Sequence, residues 1–417
     1  MQQRYWLVVG TFALSLLLYI DRICISAAKA DVTRDLQLSD TQFGWILSAF
    51  ALGYALFQTP GGVMADKYGP RRILSAIVVF WSAFTALTGL ATGYITMLIY
   101  RFLFGAGEAG AFPAISRAVY SWIPAQERGL VNGINFSGSR IGGAAALIIM
   151  PWFIQSFGWR ESFFILGGVG VLWALFWWAW FRDTPEEKPH VSDQERALIA
   201  ANRPAEETAE TVPLGVMLKS RNMWIAMAQY LCSNFTFFFT LTWLYPFVQK
   251  TYDLSIATAG ILAAMPLLGG ALGNWVSGLL VDKLYRSGRW TGSRRIPAII
   301  GFLLGAAGLI FGMGADSAVA AIFWLTIAVF GVDMTLSPSW SFCVDIGRKS
   351  SGAVSGTMNM AGNLGSFTTA LAFPYLQLWT GNNQIFFVVA AALNIFAALL
   401  WLKAEPQKPI TIAVARA

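Results

Sequence analysis

Six ionisable residues stand inside apolar runs of this chain, and their spacing is the first thing that could do chemistry. Asp21 and Arg22 lie in "LLLYIDRICIS", Arg101 and Glu108 in "YRFLFGAGEAGAFPA", Arg140 in "NFSGSRIGG", and Asp333 in "FGVDMTLSPSW". The first pair cannot simply mark the end of a membrane helix. From Trp6 to Ile20 a helix would cover only about 22 Å, short of the roughly 30 Å of a bilayer core, so the run continues to Ala28 and encloses the charges. Charges held in a bilayer are expensive and mark an ion or substrate pathway. Arg101 and Glu108 are seven residues apart; they share one helix face about 10.5 Å apart along the axis, too far for a direct pair. Asp21 and Arg22 diverge by about 100° around their helix, so at least one needs a partner elsewhere. Opposite charges on the first and fourth helices are the candidates. A static ion-pair network is the competing reading, although buried pairs contribute little net stability.

Burial and neighbouring arginines push an acid's protonation in opposite directions; where the two nearly cancel, the acid can load and release a proton. Glu108 is the better candidate for that task and Asp21 the second. Asp333 is either a binding residue or a packing polar group. Arg22 keeps its proton, and its planar fork suits a bound carboxylate. The only histidine, His190, lies in a charged segment, which excludes a histidine relay in the membrane. Cys24, Cys232 and Cys343 have no metal or disulfide spacing, and no nucleophile–base set stands out.

The elements that must position these residues are membrane helices. Of 417 residues 56% are hydrophobic and 12% charged, about half the charge of a soluble protein. The hydropathy pattern predicts an all-α membrane protein with twelve helices near 5–27, 42–64, 72–92, 94–116, 129–153, 161–181, 222–247, 255–281, 295–314, 317–340, 351–377 and 383–403. The organisation expected is a six-helix bundle over 1–181, a cytoplasmic linker over 182–221 that is helical near Val191–Ala201, a second bundle over 222–403 and a tail over 404–417. The first helix has no small-residue cleavage site and reads as a retained span rather than a signal peptide. Lys29, Arg34, Arg160 and Lys250 fall in loops on one side, and the other loop cations on the opposite side. By the positive-inside rule both termini are cytoplasmic. The net charge of +7 follows from that topology and calls for no nucleic-acid partner. Trp173, Trp177, Trp178 and Trp180 read as an interfacial belt before Arg182.

The halves repeat. "GLVNGINFSGSRIGGAAALIIMP" from Gly129 matches "GAVSGTMNMAGNLGSFTTALAFP" from Gly352, and "GGVMADKYGPRR" has a counterpart in "GLLVDKLYRSGRWTGSRR". Repeated halves around a midplane site are a common transporter plan. The repeat sets Arg140 against Asn363, so the binding residues of the two halves should differ in charge.

With these residues in hand, "GGVMADKYGPRR" resembles the loop signature of the major facilitator superfamily. "DRICIS", "RFLFGAGEAGAFPA", "SWIPAQERGLVNG", "FGWRESF" and "NMAGNLG" together resemble its anion:cation symporter family. That family includes bacterial sugar-acid and organic-acid symporters, sialin and the vesicular glutamate carriers. The resemblance covers nearly the whole chain. It implies that Arg22 holds a substrate carboxylate, that Asp21 and Glu108 handle protons, and that Arg101 tunes Glu108 or helps to gate. Tyr54, Gln58, Trp340 and Asn359 fall where relatives place binding residues. Ser139 replaces a glutamine of some sugar-acid members and is followed by Arg140, which either favours a dicarboxylate or pairs with Asp333 or Glu108. Asp66, at the end of the second helix, is expected near the start of the eleventh around Ser350, where the helix dipole would stabilise it. Arg71 and Arg72 are expected to pair with acids across the halves or only to set topology. The reading is a proton-coupled symporter of a small organic anion working by alternating access in a bacterial inner membrane, as a monomer and without cofactor or metal. The alternative is an exchanger or efflux carrier; an enzyme or a receptor fits less well.

Overall fold

Apolar runs of 18–31 residues, punctuated by glycine, proline and short polar turns, leave the backbone one way to satisfy its own hydrogen bonds in a bilayer, the helix. The computed structural model describes residues 2–201 and 212–410, so linker residues 202–211 and the end of the tail, 411–417, lie outside the described residues. The elements are α1 (Gln3–Ala27), α2 (Lys29–Asp35), α3 (Asp40–Tyr68), α4 (Pro70–Gly89), α5 (Tyr94–Glu108), α6 (Ala111–Trp122), α7 (Arg128–Phe157), α8 (Trp159–Trp180), α9 (Asp193–Ala201) and α10 (Leu214–Met217). They continue with α11 (Arg221–Thr242), α12 (Leu244–Thr251), α13 (Ile256–Arg286), α14 (Trp290–Met313), α15 (Ala318–Met334), α16 (Leu336–Gly347), α17 (Ser351–Thr380) and α18 (Gln384–Trp401). Taking α5–α6, α11–α12 and α15–α16 as interrupted spans, the described residues form the twelve expected crossings.

The interruptions are where the sequence reading falls short. Within the described residues eight stretches are long and apolar enough by themselves to cross a bilayer. Neither the fourth nor the seventh crossing is among them. The fourth is cut at Ala109–Gly110 and carries buried Arg101, Glu108 and Ser116; the seventh is cut at Trp243 and carries buried Gln229 and Ser233. The fourth crossing runs to Trp122 rather than residue 116, and the tenth to Gly347 rather than 340. The added residues include half-buried Arg117 and buried Ser341 and Asp345, whose polarity hides a helix that is nevertheless packed inside its unit. The breaks of the fourth and tenth crossings precede a proline by the same number of residues: Gly110 by Pro113, Thr335 by Pro338. A proline cannot donate to the carbonyl four residues back. In the second case that carbonyl, of Met334, accepts instead from the Ser277 hydroxyl.

Tight connections rest on local chemistry. Ser39 starts α3 with a capping box, its hydroxyl accepting from Gln42 N–H at 3.2 Å while the Gln42 side chain accepts from Ser39 N–H at 2.9 Å. Gly69 and Gly158 (φ 84° and 89°) each join two long helices through a single left-handed residue that a side chain would strain.

The chain divides into two compact units. The first comprises Met1–Pro124, Gly142–Thr211 and Gly347–Thr357, and the second Ala125–Ile141, Val212–Ile346 and Met358–Ala417. In the first unit α3 packs on α5 and α4 on α8; in the second α13 packs on α15 and α14 on α18. Those pairs are the second with the fourth and the third with the sixth crossing of each half, as a repeat requires. The second core is aromatic, with Phe239 amid Phe373, Phe386 and Phe387 at ring separations of 5.2 Å. The linker helix α9 belongs to the first unit, where buried Glu195 accepts from the N–H groups of Gln3 (3.1 Å) and Arg4 (3.0 Å) and so caps α1. Lys188 donates to the carbonyl of Trp180, the last residue of α8, at 3.2 Å. The expected tryptophan belt is split: Trp178 is exposed, whereas Trp177 is fully buried and stacks on Phe181 at 4.2 Å.

Candidate functional site

In the first unit the charges of α1 and α5 meet, as their spacing requires. Arg22 Nε donates to both Glu108 oxygens at 2.9 Å. Both contacts use one nitrogen, and Arg22 Nη2 is buried without a hydrogen-bond partner. The guanidinium lies between aromatic rings, 4.3 Å from the centroid of Tyr54, 4.9 Å from Tyr19 and 5.4 Å from Phe50. Its side chain keeps 18% of its surface open, whereas Glu108 is closed. Arg22 is therefore held by cation–π contacts and one forked bond, with donor capacity to spare.

Asp21 points elsewhere. It is 1% exposed, and neither carboxylate oxygen has a hydrogen-bond partner. Glu108 and Arg101 are its charged neighbours and the Trp81 indole N–H faces it, but no cation closes a pair. Arg101 is 2% exposed, with its guanidinium 4.5 Å from the Phe104 ring and its Nε unpartnered. Gln58, one turn beyond Tyr54 on α3, is fully buried with neither amide atom satisfied. Unsatisfied buried polar groups are costly and usually mark a ligand or water position. Four of the expected residues here thus have hydrogen-bonding capacity that the protein itself does not use.

In the second unit Arg140 of α7 faces Asp333 of α15 and forms a two-pronged pair, Nε to Oδ2 and Nη2 to Oδ1, both at 2.7 Å. Phe237 covers the guanidinium at 3.7 Å, and Asn274 adds a contact to Oδ2 at 3.4 Å. Of the two partners left open for Arg140, Asp333 is the one it takes. The other expected residues make bonds within the unit. Ser139 donates to the Phe136 carbonyl at 2.6 Å, Trp340 donates its indole N–H to the Tyr230 hydroxyl at 3.1 Å, and Asn363 donates to the Asn359 carbonyl at 2.8 Å.

Asp66 sits at the start of α17, as the loop motif led one to expect. Its oxygens accept from Gly352 N–H (2.9 Å) and Ala353 N–H (2.6 Å), with Arg117 at 3.8 Å. Arg71 and Arg72 behave differently from the pairing expected of them: neither makes an ion pair among the described residues. Arg71 donates to the Trp178 carbonyl at 2.8 Å and lies over its ring, while its backbone N–H donates to Asp183. Burial pushes the Asp183 carboxyl above its ordinary range. Arg72 is exposed, consistent with a topological role only.

Comparison with known proteins bears directly on this architecture. The Major Facilitator Superfamily profile matches residues 11–370. The chain belongs to the major facilitator superfamily. A probable sulfoacetate transporter of Cupriavidus necator is 31% identical over 392 residues, covering 93% of this chain and 90% of that protein. A probable galactarate/D-glucarate transporter of Escherichia coli is 31% identical over 428 residues, covering 97% and 94%. The hexuronate transporter of Bacillus subtilis is 28% identical, covering 94% and 92%. The fold is shared with a proton:xylose symporter bound to 6-bromo-6-deoxy-D-glucose, at a TM-score of 0.74 and 16% identity over 98% of this chain and 97% of that one. As a major facilitator protein the chain is a multi-pass membrane transporter, twelve helices in two halves, and not an enzyme.

Several residues of this major facilitator protein escaped the sequence reading. Asp282 repeats Asp66: its oxygens accept from Gly129 N–H (2.8 Å) and Leu130 N–H (2.9 Å) at the start of α7. Gly129 and Gly352 had already been matched as a repeat, so the capping acid within each loop motif was legible there. Asp345 bridges Arg128 (3.0 Å) and Arg294 (2.8 Å), a triad no local spacing announces. Tyr19 and Phe50, which flank Arg22, are ordinary apolar-face aromatics until the helices are packed.

Proposed function

We propose that the protein is a proton-coupled symporter of a small organic anion, held by Arg22 and coupled through Glu108. The observation that carries this reading is the single-nitrogen hold of Glu108 on Arg22, with Nη2 unpartnered in a partly open setting. A substrate carboxylate or sulfonate can take the guanidinium two-pronged, the stronger geometry. It then competes with Glu108 for one cation. A Glu108 that loses its counter-ion is a buried charge without compensation, and a proton removes that charge. Anion and proton therefore favour each other's binding, and by linkage the coupling is reciprocal. Asp21, buried beside the pair without a cation of its own, is a second seat for a proton, and Arg101 sets the field around both acids.

The names of the relatives support the substrate class, since sulfoacetate, hexuronate and galactarate or glucarate are all small organic anions. In this reading Tyr54, Gln58, Ser139, Trp340, Asn359 and Asn363 complete the binding residues, and Asp66 helps to hold the inner gate in an alternating-access cycle. In the same reading the lysine and arginine distribution supports cytoplasmic termini, the membrane is a bacterial inner membrane, and one chain suffices.

Uptake of labelled uronates, aldonates and aldarates into proteoliposomes tests the reading, with and without an imposed proton gradient. Accumulation driven by the gradient is expected. Exchange of anion for anion without response to the gradient would instead make the protein an exchanger. Uptake of no organic anion would contradict the reading altogether.

A further inference from the structure

The second unit holds an arginine, Arg140, that by residue type could grip another anionic group of a substrate. The structure assigns Asp333 as the residue that prevents this, so that the carrier reads one anionic group and selects sugar acids with a single carboxylate. This deepens the proposed function and rests on it.

Three observations separate Arg140 from Arg22. First, its fork is filled: two different nitrogens reach the two oxygens of one carboxylate at 2.7 Å. Arg22 engages its acid through Nε alone at 2.9 Å. Second, its surroundings are closed. Arg140 and Asp333 side chains are 5% and 1% exposed, against 18% for Arg22. Phe237 lies 3.7 Å from the guanidinium, and Asn274 contacts the same Asp333 oxygen as Arg140 Nε. Gly270 allows the close approach, since a Cβ there would collide with Asp333 Oδ2. Third, the charge is balanced. Arg140 and Asp333 lie near the middles of their crossings, and together they carry no net charge.

A substrate carboxylate that reached Arg140 would only exchange one carboxylate for another and strand Asp333 in an apolar interior, a costly outcome. The pair therefore offers no net attraction to a second anionic group, while desolvating such a group still costs free energy. Discrimination of this kind, by withholding a partner, is specificity through an unfavourable alternative. Asp333→Asn keeps the shape and releases the cation. The second unit then gains one positive charge at Arg140, and the preference should invert.

The test uses glucuronate and galactarate, six-carbon sugar acids with one and two carboxylates, which differ also in configuration at one carbon and in ring closure. Uptake of labelled glucuronate into proteoliposomes is measured against rising concentrations of each unlabelled acid. Wild type should be inhibited by glucuronate at about tenfold lower concentration than by galactarate, and Asp333→Asn should move that ratio by about tenfold or more toward galactarate. The neutral double variant Arg140→Gln/Asp333→Asn should return to the wild-type ratio. A wild type that takes galactarate as well as or better than glucuronate overturns the inference, whether or not Asp333→Asn folds. An unchanged ratio in a folded Asp333→Asn does so as well. Uptake of neither acid by a wild type that takes up another organic anion would likewise overturn the inference, whereas uptake of no organic anion would remove the proposed function itself.

Discussion

Two arginine–carboxylate pairs sit in the two units of this molecule, each with its acid at the break of the fourth helix of its half. Glu108 is the last residue of α5 and Asp333 the last but one of α15, and each lies five residues before a proline. The position is the same; the arginine is not. In the first unit the cation comes from the first helix, is partly open and spends one nitrogen on the acid. In the second it comes from the fifth helix, is buried and spends two. In the proposed reading a repeated backbone device serves as a working site in one unit and as a lock in the other. What decides between them is the partner's direction of approach.

The largest expected effect breaks that comparison on stability. Arg140→Ala leaves Asp333 buried without its cation and should cost about 3–5 kcal/mol. Arg22→Ala also strands a closed acid, Glu108, but the arginine it removes is partly open and holds that acid through one nitrogen, so it should cost less, about 1.5–3 kcal/mol. Substrate binding should show the reverse order. Arg22→Ala should abolish it, and Arg22→Lys should restore little because two-pronged geometry is lost. Thermal unfolding and calorimetry on the purified variants read both orders; equal substrate affinity in wild type and Arg22→Ala would end the assignment.

A second comparison concerns the two capping acids. Asp66→Asn and Asp282→Asn each remove a negative charge from a helix N-terminus, an effect of about 0.3–2 kcal/mol. Distances between spin labels at the end of α3 and the start of α17 should broaden and lengthen in Asp66→Asn. Labels at the end of α13 and the start of α7 should do so in Asp282→Asn. Unchanged distributions would leave both motifs with a topological role alone.

The smallest effect lies in the linker. Burial, then neighbouring Arg182, lowers the Lys188 amine to about 8, below its ordinary 10.4 or so in the unfolded chain. A base with a depressed folded value is least favourable to folding where it is charged in both states. Stability should therefore rise as pH climbs from about 8 toward 10, where the folded chain has released a proton that the unfolded chain still holds. Melting temperatures of wild type relative to Lys188→Met should converge or cross in that direction over this window. A gap that is flat with pH would show that the amine is not perturbed.

Legibility in the sequence followed the range of the interaction. Helix number and the need for a partner between the first and fourth helices were readable, because apolar length and a 100° turn per residue are local facts. Asp66 at the start of α17 was readable because the glycine repeat and the loop motif set both ends. The choice of Asp333 over Glu108 by Arg140 was not, since 193 residues separate the pair. Nor was Glu195 capping α1 from 191 residues away. The helix breaks were written as an acid followed five residues later by a proline in both halves, but hydropathy alone runs straight through them.

The central claim is that Glu108 couples anion to proton by competing for Arg22, and Glu108→Gln tests it most directly. Glutamine keeps the size and hydrogen-bonding capacity of the protonated acid while fixing it as neutral. In proteoliposomes the variant should still exchange labelled for unlabelled substrate, and should fail to concentrate substrate when a proton gradient is imposed. A Glu108→Gln protein that accumulates substrate in response to the gradient as wild type does would contradict the account.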